Sequence, residues 1–501
     1  GVQVRQVGGP GVLEAGMVRG EAYGSDRGVL IAEQDVSCNT RDFALRAQSL
    51  RASRDAQGAE LIELGGDKQL RYRLDKPLKL QGVPRHGDLV IQSRGPLTMR
   101  ATGKGQFLFA RDAVEMVLET PPRKGRPGRE LTRLVCRELV VHTMDGVVVS
   151  LTAEGAVVLT DAPSQTVVRC DRLFYAEKDG GLTLLGDPAQ VSSTVEEDTR
   201  FTMSAQRIVI GPDGGWFRAM ESVVVAGVLP TSVKIPGGQP TPGRWIVHAK
   251  GEVYGVLGGT GPHGIRELTA TEQVSATGPH GQALRGDKIH YVASENEIVL
   301  TGKPASIRDG DIVGLAAPKF VLGLDGREIS RASTTGAGTF FYKPGGKGSI
   351  REWRARLQGS ARLADGKLTL ADGVVMDGFD RKGVLLARIT APIVIAYLPR
   401  GPREEDGGRG PLVLQKITGS GNADTPVLFY AKTKDGPVRV RSDEVVFEPG
   451  PSKVTLRGNV EVDSDASPHK SVFEWISFIL TEEGVDEIEF GPTTILKRRP
   501  D

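Results

Sequence analysis

Apolar and polar residues alternate with a period of two along much of the chain. The clearest example is residues 286–307 (GDKIHYVASENEIVLTGKPASI), where two alternating runs flank a turn-forming segment at 293–296. Alternation bounded by turn residues is typical of a half-buried antiparallel β-hairpin. The pattern therefore predicts a hairpin here, whose second strand ends at the Gly-Lys-Pro segment 302–304.

The same hairpin pattern recurs in residues 169–191 (RCDRLFYAEKDGGLTLLGDPAQV) and 441–462 (RSDEVVFEPGPSKVTLRGNVEV). In every copy an Asp precedes a Gly by the same number of residues. The pairs are Asp171 with Gly186, Asp287 with Gly302, and Asp443 with Gly458. We expect the Asp to cap a turn at the start of its strand, and the Gly to supply a positive φ angle or a bulge.

Each hairpin carries four apolar residues that point to one side of the predicted sheet. They are Leu173, Tyr175, Leu182, Leu184, Ile289, Tyr291, Ile298, Leu300, Val445, Phe447, Val454 and Leu456. A sheet with such a face has to bury it against another layer. The same residues serve either a closed sandwich core or a trough between two sheets, and alternation does not separate these arrangements.

Composition favours many short strands and turns. The 501 residues include 65 Gly and 30 Pro, and aromatic residues make up 5%. No segment carries a helical apolar stripe over ten or more positions, although residues 350–357 fit a short helix as well as a strand. The sequence therefore predicts an all-β chain with little or no helix.

Charge and cysteine usage exclude several function classes. A net charge of +2 over 501 residues lacks the strong basic excess of a nucleic-acid-binding protein. No run of ~18 apolar residues is present, and residues 1–20 lack the apolar core of a signal peptide. The cysteines Cys38, Cys136 and Cys170 have no metal-ligand spacing, so we expect buried small side chains, and a Cys136–Cys170 disulfide is the alternative.

The sequence contains no motif of a known catalytic type, such as GxSxG, HExxH or a P-loop. The three repeated Asp residues are too far apart along the chain to form a local pair of catalytic carboxylates. His263 and His280 each lie in a Gly-Pro-His-Gly turn without further ligands nearby. We therefore predict no enzyme activity, no metal and no cofactor.

Three Pro- and Gly-rich segments interrupt the strand pattern, at residues 121–129, 230–242 and 399–411. Proline lacks the N–H that a central strand needs, so these segments are surface loops or linkers. They predict four modules. These are a diverged N-terminal β module at 1–120, a second module at 130–228, a third with insertions at 245–398, and a C-terminal module at 412–501.

The three hairpins resemble the OstA/LptA/LptC family of lipopolysaccharide-transport proteins. The stretches that carry the resemblance are GDKIHY…EIVLTGKPASI, CDRLFY…LTLLGDPAQV and SDEVVF…KVTLRGNVEV. Residues 268–276 are similar to another strand of the family, with Glu272 in place of the usual Gly. The resemblance is good over residues 165–310 and 412–465 and vague over 1–130 and 310–400.

This resemblance implies a β-jellyroll, or β-taco, in which two facing antiparallel sheets fold into a V around an apolar groove. For this longer chain it implies an elongated tandem of fused jellyrolls, with the twelve apolar residues as the lipid-binding groove. Family members carry the acyl chains of lipopolysaccharide across the periplasm and stack edge to edge.

The resulting expectation is a non-enzymatic periplasmic bridge that carries lipopolysaccharide or a related acyl-chain lipid towards the outer membrane. Other jellyroll transport proteins would be partners through strand addition at either end, and no nucleic acid would bind. The basic loop at residues 123–126 would face anionic head groups or only solvent. The alternative is a structural β-rod, a scaffold or envelope spacer with a closed core.

Overall fold

The structure is a computed structural model, and it describes most of the chain. The described residues are 2–5, 11–22, 27–55, 58–76, 78–80, 83–85, 87–102, 105–120, 130–162, 165–179, 181–195, 199–227, 245–258, 264–278, 281–310, 313–325, 328–343, 349–399, 412–433, 436–464, 469–491 and 494–498. The predicted linkers at 121–129 and 230–242 lie outside them, as does 399–411 apart from Pro399. His263, His280 and the basic loop at 123–126 also lie outside them.

The described residues form β-strands and turns, and they contain no α-helix. The prediction of an all-β chain is therefore confirmed. Residues 350–357, which fit a helix or a strand, contain the strand Glu352–Leu357. Among these residues, none belongs to a helix long and apolar enough to span a membrane.

The strands are numbered here in chain order. They are β1 (Val2–Arg5), β2 (Val12–Ala15), β3 (Met17–Ala22), β4 (Gly28–Asn39), β5 (Phe43–Arg54), β6 (Glu60–Gly65), β7 (Gln69–Arg73), β8 (Leu78–Leu80), β9 (Val83–Arg85), β10 (Asp88–Gln92), β11 (Leu97–Thr102), β12 (Gly105–Thr120), β13 (Glu130–Met144), β14 (Val147–Asp161), β15 (Thr166–Ala176), β16 (Leu182–Val195), β17 (Thr199–Ile210), β18 (Trp216–Met220), β19 (Val223–Gly227), β20 (Trp245–Ala249), β21 (Glu252–Gly258), β22 (Gly264–Thr277), β23 (Gln282–Val292), β24 (Glu297–Asp309), β25 (Val313–Asp325), β26 (Glu328–Thr335), β27 (Gly338–Tyr342), β28 (Glu352–Leu357), β29 (Ser360–Ala364), β30 (Lys367–Phe379), β31 (Leu385–Tyr397), β32 (Lys416–Ser420), β33 (Val427–Thr433), β34 (Gly436–Ser442), β35 (Glu444–Glu448), β36 (Lys453–Ser464), β37 (His469–Thr481), β38 (Gly484–Phe490) and β39 (Thr494–Arg498).

The chain divides into two compact units. Unit 1 comprises Gly1–Gly227 and Ala249–Leu268, and unit 2 comprises Val228–His248 and Thr269–Asp501. Within each unit, neighbouring strands pair antiparallel. The division into four jellyroll modules stays a prediction.

A line of register irregularities crosses successive strands of unit 1, and we call it the crease. At Asp112–Ala113 in β12 and at Gly155–Ala156 in β14, two consecutive residues adopt positive φ angles where the register shifts. The crease of unit 1 comprises residues 34–35, 48, 66–68, 93–96, 112–113, 136–137, 155–156, 170–171, 186–188, 206 and 221–222. Such bulges bend a strand and increase its twist, so each long strand has two arms.

The apolar face of unit 1 continues across this crease. In β14 and β15, four pairs of buried residues lie opposite each other, two pairs on each side of the bulge. They are Leu151–Tyr175, Ala153–Leu173, Val157–Cys170 and Leu159–Val168. Both arms of each strand therefore bury the same face of the sheet.

Unit 2 has a crease of the same kind. It comprises residues 272–273, 286–287, 302–304, 318, 336–337, 358–359, 372–373, 392, 421–426, 443, 458–459 and 474. On one side, β27, β28, β33, β34 and β39 pair with arms of the long strands. On the other side, β26, β29, β32, β35 and β38 do so. We call these two sets the first and second half-sheets.

The Gly-Lys-Pro segment 302–304 does not end its strand, so that prediction is wrong. β24 continues through the segment, which forms a bulge on the crease between Thr301 and Ala305. Pro304 is tolerated inside the strand because a bulge leaves one residue without a ladder hydrogen bond.

Replacing Gly302 tests how tightly this bulge is packed. An added Cβ would lie 3.0 Å from Gly286 Cα and 3.1 Å from the backbone N of Ala305 and of Asp287. Because these are backbone atoms, we expect Gly302→Ala to lower the free energy of unfolding by about 1–3 kcal/mol in urea denaturation. Gly450→Ala is the control, since no atom lies within 4 Å of its added Cβ. Equal midpoints for the two variants would contradict the expectation.

Candidate functional site

The three repeated hairpins fold with the same register. In each copy the four apolar residues form two directly opposed pairs on one face. The pairs are Leu173–Leu184 and Tyr175–Leu182, Ile289–Leu300 and Tyr291–Ile298, and Val445–Leu456 and Phe447–Val454. All twelve side chains are buried, with at most 3% of their surface exposed. The predicted hairpins and the shared orientation of these side chains are confirmed, whereas their role as a lipid groove stays a prediction.

The second and third hairpins lie on one apolar row of unit 2. Starting from Tyr291, each strand contributes a residue directly opposite the last, until the row ends at Ile488. In order the row contains Tyr291, Ile298, Leu322, Ala332, Leu363, Leu368, Ala396, Ile417, Phe447, Val454, Phe478 and Ile488. The structure thus brings together hairpins that are more than a hundred residues apart in the chain.

Unit 1 has a comparable row that includes the first hairpin. It contains Leu30, Ala52, Ile62, Met99, Leu108, Val141, Leu151, Tyr175 and Leu182. The residues from Met99 onwards are buried. Leu30, Ala52 and Ile62 are only half-buried and line a cavity of about 440 Å³ at the N-terminal strands. The apolar face of unit 1 is therefore partly open at this end.

Aromatic side chains join the two half-sheets of unit 2. Trp353 in the first half-sheet packs edge-on against Phe447 in the second, with ring centroids 5.0 Å apart. Phe429 in the first half-sheet stacks on Phe478 in the second, with ring centroids 5.7 Å apart. The apolar sides of the half-sheets are thus in direct contact at these points.

Two hydrogen bonds also link the half-sheets of unit 2. Ser349 Oγ, next to the first half-sheet, donates to the backbone O of Leu480 in the second at 2.9 Å. The backbone N–H of Leu414 donates to the Tyr342 hydroxyl at 2.8 Å, and both groups are buried. Burial also raises the pKa of Tyr342.

Unit 1 shows contacts of the same kind. The rings of Phe201 in β17 and Phe217 in β18 lie 5.8 Å apart, on strand arms from opposite sides of the crease. The backbone N–H of Asp75, after β7, donates to the O of Gly146 in the β13–β14 turn at 3.1 Å. The two arms of this sheet therefore touch at the turn as well as through aromatic rings.

The sequence pattern identified Phe447 as a site residue. It did not identify its partner Trp353, or the pair Phe429 and Phe478. Trp353 lies in a short strand between charged residues (REWRAR), so only its position in the alternation indicated burial. Which aromatic residues meet across the two half-sheets depends on tertiary packing, and no local signal in the sequence encodes it.

The repeated Asp residues do not begin strands as expected. Asp171 and Asp287 lie inside β15 and β23, at the crease, and Asp443 lies between β34 and β35. All three repeated Gly residues lie at bulges, as predicted, but only Gly458 has a positive φ angle. Asp443 accepts a hydrogen bond from the Asn459 amide at 2.8 Å, so this Asp helps to hold the bulge.

Candidate metal and thiol chemistry is sparse in the part of the chain that the structure describes. No group of three or more His, Cys, Asp or Glu residues there could hold a metal ion. The three cysteines are free thiols, and burial raises the pKa of Cys136 and of Cys170 to about 12. These thiols are therefore protonated at neutral pH and poor nucleophiles.

Tyr291 stands out within the twelve residues because its buried hydroxyl has no hydrogen-bond partner among the described residues. Burial raises the pKa of Tyr291 to about 12. An unpaired buried hydroxyl lowers stability, since it loses its hydrogen bonds to water without replacement. Of the four apolar-face residues of the second hairpin, Tyr291 is the one that carries a polar group.

We expect Tyr291→Phe to leave the free energy of unfolding at pH 7 unchanged or to raise it by up to about 1 kcal/mol. Tyr342→Phe is the matched comparison and should lower it by about 1 kcal/mol, because the Leu414 N–H loses its acceptor.

The pH dependence of the same variant follows from the raised pKa. In the folded state Tyr291 keeps its proton to a higher pH than in the unfolded state. The free energy of unfolding is therefore unaffected by this group below the unfolded pKa near 10, and it falls as the pH rises towards 12. Wild type should thus lose more stability than Tyr291→Phe between pH 10 and 12. Identical pH profiles in chemical denaturation would show that the Tyr291 hydroxyl is not buried.

No protein-family model matches the chain, and no curated protein matches it either. Function has to be inferred from the residues and their contacts.

Proposed function

We propose that the protein is a non-enzymatic lipid carrier that holds acyl chains against the apolar faces of its creased sheets. In this proposal it forms a periplasmic bridge that carries lipopolysaccharide or a related lipid towards the outer membrane. The observation that carries the proposal is the apolar row of unit 1. It runs unbroken from the buried residues Tyr175 and Leu182 to the half-buried Leu30, Ala52 and Ile62 at an apolar cavity.

The crease supports the β-jellyroll, or β-taco, arrangement on which this proposal depends. Bulges in alternate long strands, such as β12 and β14, bend the sheet so that one face lies inside the bend. Apolar residues occupy that face on both sides of the crease, as the paired residues of β14 and β15 illustrate. An acyl chain would lie between the two arms, with its head group in water.

Binding would be driven by removing the chain's methylene groups from water. Each buried CH₂ contributes about 0.8 kcal/mol, so about ten of them contribute roughly 8 kcal/mol. Because inner-face residues such as Leu300 and Leu184 are fully buried, a lipid can advance only where the two arms separate. Movement along the face would be passive, and its direction would come from a partner machine.

The last strands of unit 2 support the partner part of the proposal. Ile488 and Phe490 in β38 are 42% and 53% exposed, although they belong to rows that are buried further along the sheet. An end strand with exposed apolar residues suits the addition of a strand from another jellyroll transport protein. Such pairing would extend the apolar face into the partner.

A specific observation favours the second candidate, a structural β-rod with a closed core. Trp353 and Phe447 contact each other across the half-sheets, and both are at least 98% buried. A sheet pair closed by such contacts would act as a scaffold or spacer and would leave no path for a lipid. The two candidates differ in whether the inner face ever meets an acyl chain.

Site-specific photocrosslinking separates them. A benzoylphenylalanine residue in place of Ile62 should crosslink to radiolabelled lipopolysaccharide, because Ile62 lines the cavity on the apolar face. The same residue in place of Phe174, which is 47% exposed next to two inner-face residues, should form at least about tenfold less adduct. Equal labelling at both positions, or none at Ile62, would favour the closed rod.

A further inference from the structure

A second cavity, of about 950 Å³, lies on the opposite face of the unit 1 sheet from the apolar rows. Directly opposed residues of β5, β7, β10 and β12 form its floor, namely Arg46, Gln69, Gln92 and Glu115. Their neighbours along each strand, such as Leu45, Leu70 and Ile91, are buried on the apolar face. Neither the hairpins nor the apolar rows contribute to this cavity.

The crease shapes one wall of the cavity. Residues 66–68 and 93–94 lie where β6 gives way to β7 and where β10 gives way to β11. At these positions the backbone leaves the regular pairing of the sheet. Its carbonyl groups, which a regular strand would hydrogen-bond to a neighbouring strand, therefore line the cavity together with the side chains. The cavity is thus a product of the same irregularity that bends the sheet.

Lys68 is a buried cation in this wall, with only 9% of its surface exposed. Its ammonium donates to the backbone O of Gly66 at 2.9 Å and of Arg94 at 3.3 Å. Within the described residues no carboxylate lies within ion-pair distance of it. A buried charge without an opposite charge is costly, so an anion in the cavity would stabilise it.

The other charged groups of the cavity leave an excess of positive charge. Arg133 pairs with Glu115 at 2.6 Å, which neutralises both. Arg46 and Arg94 are exposed to the cavity and form no ion pair with any described residue. Asp67 is then the single acid facing three cations, Arg46, Lys68 and Arg94.

We propose that this cavity is a binding site for a phosphate group. Arginine side chains bind phosphate with two parallel hydrogen bonds, and lysine binds it as a point charge. The amide donors of Gln69 and Gln92 lie on the same floor and suit the remaining oxygens. The phosphate belongs either to a free small molecule or to a lipid head group, and the site does not depend on the proposed lipid path.

The test is isothermal titration calorimetry of the full chain with pyrophosphate at low salt. Arg46→Gln and Arg94→Gln should each weaken binding about tenfold, because each removes a charge-assisted pair of hydrogen bonds. Both residues are exposed, so the variants should fold. Arg51→Gln is the matched control, since Arg51 is exposed on β5 outside the cavity, and its binding should equal that of wild type.

Asp67→Asn should change the affinity for pyrophosphate in the opposite direction. Misfolding would not produce tighter binding. Removing the single unpaired acid should tighten pyrophosphate binding about threefold or more at low salt, and the gain should shrink as salt is raised.

Vesicles identify the source of the phosphate. The site would be assigned to an anionic lipid head group by two results together. The protein would co-sediment with phosphatidylglycerol vesicles but not with phosphatidylcholine vesicles, and Arg94→Gln would abolish this co-sedimentation. Binding of pyrophosphate without co-sedimentation would assign it to a free phosphate compound. The proposal is overturned if neither probe binds at millimolar concentration, or if Arg51→Gln weakens binding as much as Arg94→Gln does.

Discussion

Burial of one apolar sheet face is the constraint on which the structure of each unit depends. A strand that alternates apolar and polar residues produces a face that water does not tolerate, and a single layer offers nothing to cover it. Here part of the cover comes from residues of the same unit on the other side of the crease. The contacts Trp353–Phe447 and Phe201–Phe217 mark places where the arms meet. The outer face, with Arg–Glu pairs such as Arg133–Glu115, is left to solvent.

Period-two alternation was sufficient to predict the all-β class, the three hairpins and the face on which their apolar residues lie. Those features depend on neighbours in sequence, and the hairpin of Ile289 and Leu300 has the register that the pattern required. The length of the strands was not predicted. Gly302 and Pro304 resemble a strand end locally, yet the strand resumes beyond them because the partner strand continues to offer hydrogen bonds.

The residues of the candidate sites likewise differ in whether the sequence predicts them. The twelve apolar residues could be identified because the alternation within each strand determines the face on which its residues lie. The cavity around Lys68 was not, since its cations come from strands and breaks far apart in the sequence and meet only through sheet register. The aromatic contacts between half-sheets were equally hidden. In physical terms, local alternation encodes which face a residue joins, whereas the partner on the facing arm is chosen by packing.

The paired left-handed residues of the crease also restrict which alignments of neighbouring strands are possible. A uniform strand can slip by two residues and still keep its apolar side inward, so alternation alone leaves the register degenerate. A bulge removes that degeneracy, because it must face the irregular position of the next strand. Asp112–Ala113 and Gly155–Ala156 thus fix the register of β12 and β14 against their neighbouring strands. A sheet built in this way can gain strands by duplication of a hairpin without losing the alignment of those already present.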